Sequence, residues 1–247
     1  MNNPTPSNNP VTGAGYFLRG LTLIGQPRIR RFVILPLGIN ILIFAGLIWL
    51  AWGQFGQFMD WLMPSLPEWL TWLSWLLWLV FGLMAFIVIF FAFSLLANLV
   101  GAPFNGYLAA AVERHLTGEN PPGSARPFLQ EFTLALLGEL RKIGYFLLFA
   151  IPLLILSFIP VLNLAAPVLW ALFGAWMLSL EYLDYPLGNH GLTFPEIRQR
   201  LRRQRFLSLG FGAAVMLATL IPVFNFLIMP VAVAGATALR VERMPLK

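Results

Sequence analysis

The chain has 247 residues, 59% of them hydrophobic and 11% charged, with a mean hydropathy of +0.77. A soluble domain carries about a quarter charged residues, and 16 basic plus 10 acidic side chains are too few to cover a water-facing surface for a chain of this length. The composition therefore excludes a soluble globule, a disordered chain and a coiled coil, and it identifies an integral membrane protein.

Residues 1–26 read as an N-terminal segment. It lacks a basic n-region followed by an apolar h-region and a small-residue cleavage site, so no cleavable signal peptide is expected. The absence of cysteine removes disulfides and thiolate metal sites from consideration. The charge-free stretches that follow mark the membrane elements. Between Arg31 and Asp60 there is room for one span of about 20 apolar residues, placed at 27–53. The connection from 53 to 68 carries Asp60 and Glu68 but no Lys or Arg. From Glu68 to Glu113 the charge-free stretch is about twice what one span needs. This predicts a second, long span over 67–101. It should break at Gly101-Ala102-Pro103, where proline removes a backbone donor and clashes with the preceding turn. Trp69, Trp72, Trp75 and Trp78 at its start fit an interfacial aromatic belt, although plain lipid-facing bulk serves the inner two equally well.

Residues 104–142 form a polar segment containing Glu113, Arg114, Glu119, Arg126, Glu131, Glu139, Arg141 and Lys142, with an amphipathic helix over 127–142. Two further apolar stretches, 143–180 and 206–240, are each too long for one span and short for two. Both are interrupted at the middle by the same internal repeat, Ile159-Pro160-Val161-Leu162-Asn163-Leu164 and Ile221-Pro222-Val223-Phe224-Asn225-Phe226. Pro and Asn in that order make a turn, so each stretch predicts a helical hairpin able to enter the bilayer without fully crossing it. The fold class is all-α: two long transmembrane helices plus two Pro/Asn-broken hairpins. Backbone freed at such turns must be buried in protein or line a wet cavity, and paired Pro-interrupted segments point to a transport pathway. Turns at the far membrane surface that serve packing alone would use the same residues. On the pathway reading, Asn163, Asn225 and Glu113 are candidates for lining it. Homo-oligomers would cover the turns, and the small residues Ala232, Ala234, Gly235, Ala236 and Ala238 permit close helix approach, either between copies or within one chain. The connection 181–205 ends in Arg198, Arg200, Arg202, Arg203 and Arg205. By the positive-inside rule this run, the basic N-terminus and residues 113–142 share the cytoplasmic side, and the 53–68 connection faces outward.

Catalytic chemistry has few residues to work with. The two histidines, His115 and His190, sit in no H-E-x-x-H; there is no G-x-S-x-G, no paired intramembrane aspartate and no P-loop. The apolar stretches hold no ionisable side chain for a proton relay; Glu181 and Asp184 are the nearest. The remaining concentration of function is Gly25-Gln26-Pro27-Arg28-Ile29-Arg30-Arg31-Phe32. Proline at a helix start leaves the following N–H groups free, such a start attracts anions, and guanidinium groups fit tetrahedral oxyanions. Arginines flanking a span also serve topology and lipid phosphates. Cations at a helix start are disfavoured by the dipole, however, so three of them imply something negative nearby.

The run Gln26-Pro27-Arg28-Ile29-Arg30-Arg31-Phe32-Val33-Ile34-Leu35-Pro36-Leu37 resembles the CysZ family of bacterial sulfate transporters. Ala102-Pro103-Phe104-Asn105-Gly106, Ala166-Pro167-Val168-Leu169-Trp170, Asp184-Tyr185-Pro186 with Asn189-His190, and Ile228-Met229-Pro230-Val231-Ala232-Val233 with Gly235-Ala236-Thr237 extend the resemblance from about residue 13 to 240. It implies uptake of sulfate, or sulfite, across the bacterial inner membrane for cysteine biosynthesis, by a multi-pass all-α homo-oligomer in contact with lipid. The family's G-[LI]-R-R anion motif carries over onto Ile29, Arg30 and Arg31, with Arg28 standing where the family has glycine. A second departure is Ala110, where relatives often have a glutamate ahead of the one matching Glu113. Sulfate is thus expected at Arg28, Ile29, Arg30 and Arg31. No cofactor, metal, catalytic residue or nucleic-acid partner is expected. A membrane-shaping or scaffolding protein without transport is the alternative, and a membrane-bound enzyme lacks catalytic groups.

Overall fold

The computed structural model describes residues 8–62, 72, 74–122, 128–221 and 224–246. It is an all-α membrane protein, and no strand occurs among the described residues. The helices are α1 (Pro10–Ile24), α2 (Arg31–Leu62), α3 (Ser74–Thr117), α4 (Phe128–Phe158), α5 (Ala166–Gly188), α6 (Phe194–Arg203), α7 (Arg205–Thr219) and α8 (Asn225–Arg243). Among the described residues three segments are long and apolar enough to cross a membrane: Arg31–Phe58, Leu137–Phe158 and Ala166–Gly188. Their outward residues are those a hydrocarbon solvent selects; Leu42, Trp49 and Leu148 are all more than half exposed.

Contacts divide the chain into two units. The first runs to Phe32 and resumes at Asn105. Its core is α1, α5, α7 and α8. Helix α1, in a segment that hydropathy leaves without an element, starts on a sequence signal: Asn9 Oδ1 accepts the Val11 N–H at 2.9 Å, with Pro10 opening the helix. Asn8 Oδ1 accepts the Phe206 and Leu207 N–H groups, both at 3.0 Å, supplying from afar the cap that α7 lacks locally. Helix α1 and helix α8 touch backbone to backbone. A Cβ on Gly20 would lie 2.1 Å from the Val231 carbonyl, and one on Gly235 would lie 2.4 Å from the Tyr16 carbonyl. The small-residue stripe of the last arm is therefore used inside one chain, with Ala232, Ala234, Ala236 and Ala238 fully buried. Polar contacts close the same seam: Glu242 takes hydrogen bonds from Tyr16 at 2.9 Å and Arg19 at 2.6 Å. Partial burial works against its charge, but those bonds and the Arg19 and Arg243 charges hold its carboxyl below the usual range.

The second unit, Val33–Phe104, is joined by aromatic packing, with Phe55 at 3.8 Å from Trp78 and 4.1 Å from Phe81 between ring centroids. Trp72, Trp75 and Trp78 are 63%, 60% and 48% exposed, as an interfacial belt and lipid-facing bulk both require; Trp69 lies outside the described residues. The break expected at Gly101-Ala102-Pro103 does not occur, because α3 is helical throughout Ser74–Thr117. Membrane helices tolerate proline where local adjustment re-satisfies the freed backbone groups.

The first repeat does form a turn. Helix α4 ends at Phe158, Leu162–Leu164 make a 3-10 turn, and α5 begins at Ala166 with Pro167 in its first turn. Val161 sits at φ 73° and ψ −47°, a conformation costing a β-branched residue about 1–2 kcal/mol. Its side chain is 77% exposed, so truncation loses no packing. Glycine there costs about 0.5–1 kcal/mol in chain entropy. Val161→Gly should thus be neutral to about 1 kcal/mol stabilising in detergent unfolding, and a lowered midpoint would contradict the strained turn. At the second repeat, Pro222 and Val223 lie outside the described residues, as does the side chain of Asn225, the first residue of α8.

Candidate functional site

Residues Gly25–Arg30 carry the chain from α1 into α2 by closed turns. The Gln26 N–H donates to the Leu23 carbonyl at 3.1 Å, and the Gln26 carbonyl accepts the N–H groups of Ile29 and Arg30, both at 2.9 Å. This folds the Ile29 side chain completely inside and leaves Arg28, Arg30 and Arg31 exposed. Arg31 opens α2, with its guanidinium 4.8 Å from the centre of the Phe32 ring. Helix α2 thus begins four residues later than the expected start at Pro27. The Ile29 N–H, expected to be a free anion donor, is already committed, because the turn closes on Gln26 before the helix opens.

Beside this turn lies a cavity of about 410 Å³ lined by Pro27, Arg28, Arg31 and Arg114. Three arginines, one from the turn, one opening α2 and one from α3, line one space, and no carboxylate is among these four residues. Arg30 is not part of the lining. Arg114 escapes sequence reasoning, which leaves it in a mixed-charge segment far from Arg28; only the fold brings the two together.

The residue next to Arg114 carries a carboxylate that is engaged elsewhere. Glu113, 5% exposed, accepts from Arg240 Nη1 at 2.8 Å and lies 2.8 Å from His190 Nε2. Arg240 Nη2 also meets His190 Nε2. Helices α3 and α8 and the chain after α5 are pinned by this one network. Close by, Asn189 Nδ2 donates to the Gly106 carbonyl at 2.9 Å, and Asn105 Nδ2 approaches Met229 Sδ at 3.0 Å. Sequence motifs scattered over the chain thus meet at part-buried contacts. Arg240 Nε is buried there without a hydrogen-bond partner among the described residues.

A second cluster clasps the base of the first hairpin. Lys142 on α4, nearly buried, pairs with Glu139 at 2.6 Å and, across to α5, with Asp184 at 2.9 Å and Glu181 at 3.1 Å. The two α5 carboxylates nearest to relay candidates therefore spend their charge on this lysine. At the hairpin tip Asn163 is exposed, and its N–H donates to the Ile159 carbonyl at 2.9 Å. Among the described residues no group of three His, Asp or Glu side chains is placed to hold a metal ion.

Comparison with known proteins matches this chain to one family. The family model described as Sulfate transporter CysZ/Etoposide-induced protein 2.4 matches residues 16–230. The chain is 49% identical over 229 residues to the sulfate transporter CysZ of Pseudomonas fluorescens, covering 92% of each chain. It is 46% identical over 236 residues to that of Pseudomonas syringae pv. tomato, covering 95% of this chain and 92% of the relative. It is also 45% identical over 234 residues to that of Pectobacterium atrosepticum, covering 94% and 85% respectively.

Proposed function

The chain belongs to the family of sulfate transporter CysZ and etoposide-induced protein 2.4, and from that premise we propose that it carries sulfate, with sulfite as the nearest alternative, across the bacterial inner membrane for cysteine biosynthesis, as an anion transporter or channel. The observation that carries this reading is the cavity whose three polar lining side chains, Arg28, Arg31 and Arg114, are all guanidinium groups. Sulfate is a dianion with four acceptor oxygens, and forked, permanently charged donors match that shape and charge. With no carboxylate among its described lining residues the cavity keeps its positive field, and the field concentrates anions at its mouth. Arg28 takes over the role that a glycine N–H has in the family pattern. Arg30, outside the lining, supplies flanking charge. Glu113, paired with Arg240 and His190, fixes the α3 turn that presents Arg114.

Beyond the cavity the path follows the hairpins, with Asn163 and Asn225 at their turns. The protein works as a multi-pass homo-oligomer, because α7, 15 residues long, is too short to cross and ends at membrane depth, where lipid cannot satisfy polar backbone. Transport asks nothing of acid–base chemistry here, and no catalytic role is assigned to any residue.

Removing one partner of a charge-assisted contact costs about 1.5–3 kcal/mol. Arg31→Ala and Arg114→Ala should therefore each weaken sulfate binding by roughly tenfold or more in calorimetric titration of the purified protein. Unchanged affinity in the folded double variant would remove the cavity from the transport path.

A further inference from the structure

Helix α6 joins α5 to α7 and carries an excess of charge that the anion cavity does not use. A capping box starts it, with the Thr193 N–H and hydroxyl both donating to Glu196 at 2.7 Å. Phe194, Ile197 and Leu201 are buried and fix one face against the protein. The polar positions hold Arg198, Arg200, Arg202 and Arg203, and Arg205 follows. Arg198 lies over the Tyr145 ring at 5.1 Å. Between α6 and the C-terminal segment is a cleft of about 680 Å³, lined by His190, Gln199, Arg200 and Arg203 together with Leu192, Pro245 and Leu246.

The charge in this cleft is unbalanced. Glu196 also lines it, but its carboxylate is engaged by the start of its own helix. Arg200 uses one donor on the Pro245 carbonyl at 3.3 Å and keeps the rest. Arg203 makes no hydrogen bond or ion pair among the described residues. We propose that this cleft seats the phosphate of an anionic phospholipid headgroup, held by Arg200 and Arg203 with Gln199 as a neutral donor. A free ion has no use for the wall of Leu192, Pro245 and Leu246, whereas the acyl chains attached to a lipid headgroup do. Helix α6 also joins the polar ends of two apolar helices, where headgroups reside, and a basic cluster on an amphipathic helix is the pattern that anionic lipids select.

None of these residues lines the sulfate cavity, so the two sites separate experimentally. Native mass spectrometry of the full chain in mild detergent would be run with phosphatidylglycerol and phosphatidylcholine of equal acyl composition. Wild type should retain phosphatidylglycerol several-fold more, and Arg200→Gln with Arg203→Gln should bring the two lipids to parity while sulfate affinity stays unchanged. Arg31→Ala should lose sulfate and keep the lipid preference, so failure of one site leaves the other readable. Should the double variant misfold, Arg203→Gln alone, which leaves the Arg200 tether to Pro245 intact, should still reduce the preference. An equal lipid preference in wild type and variants would overturn the proposal. So would binding of inorganic phosphate to the Arg31→Ala protein, abolished by Arg203→Gln, without any preference for phosphatidylglycerol.

Discussion

Gly235→Val should prevent the α1–α8 seam from closing. A Cβ at Gly235 already meets the Tyr16 carbonyl oxygen at 2.4 Å and the Phe17 Cα at 3.2 Å, and valine adds two methyl groups beyond it. The obstacle is backbone on a packed helix, so no side-chain rotation relieves it. Overpacking a core typically costs 1–3 kcal/mol when side chains can adjust. Here the two helices must separate, exposing fully buried Ala232, Ala236 and Leu239 and loosening the Glu242 contacts with Tyr16 and Arg19. The expected loss exceeds about 3 kcal/mol, a large part of a total stability of about 5–15 kcal/mol. Unfolding followed in detergent should show a strongly lowered midpoint or no folded material. A monodisperse protein with wild-type melting would mean the seam is not as close as described.

Glu113→Ala should be the most damaging loss of a single charge. It leaves the Arg240 guanidinium, 5% exposed, without its carboxylate, and breaking a buried pair from one side costs about 3–5 kcal/mol. Removing both partners is milder, since no orphaned buried charge is left behind. Glu113→Ala combined with Arg240→Met should therefore recover much of the lost stability. A double variant as unstable as Glu113→Ala would show that the carboxylate does something other than balance Arg240.

The parts of the fold governed by solvent were legible in the sequence. Charge-free stretches located the apolar helices because hydrocarbon excludes charge wherever the chain runs, and the Pro160–Asn163 turn followed from local backbone chemistry. Helix α1 carried no comparable signal. It belongs to the core because glycines at 20 and 235 let two helices touch, a match between positions far apart that neither position reveals alone. The continuity of α3 through residues 101–103 was hidden for a related reason, since proline's local preference yields to its surroundings. At the site, Arg28 and Arg31 stood out as cations beside a helix start, where the dipole disfavours them. Arg114 and the partners of Glu113 did not, because nothing local marks a charge whose neighbour is supplied by another helix.

Sulfate flux through the protein alone is the most direct test. The purified chain, reconstituted in liposomes loaded with buffer, would be given labelled sulfate outside, and uptake compared with empty liposomes and with the Arg31→Ala, Arg114→Ala double variant. Saturable uptake by the wild-type chain, reduced at least tenfold in the correctly inserted double variant at sulfate well below saturation, is the predicted result. Wild-type uptake no faster than leakage into empty liposomes, with the protein shown to be folded and inserted, would contradict a transport function and leave the chain a membrane-shaping or scaffolding protein.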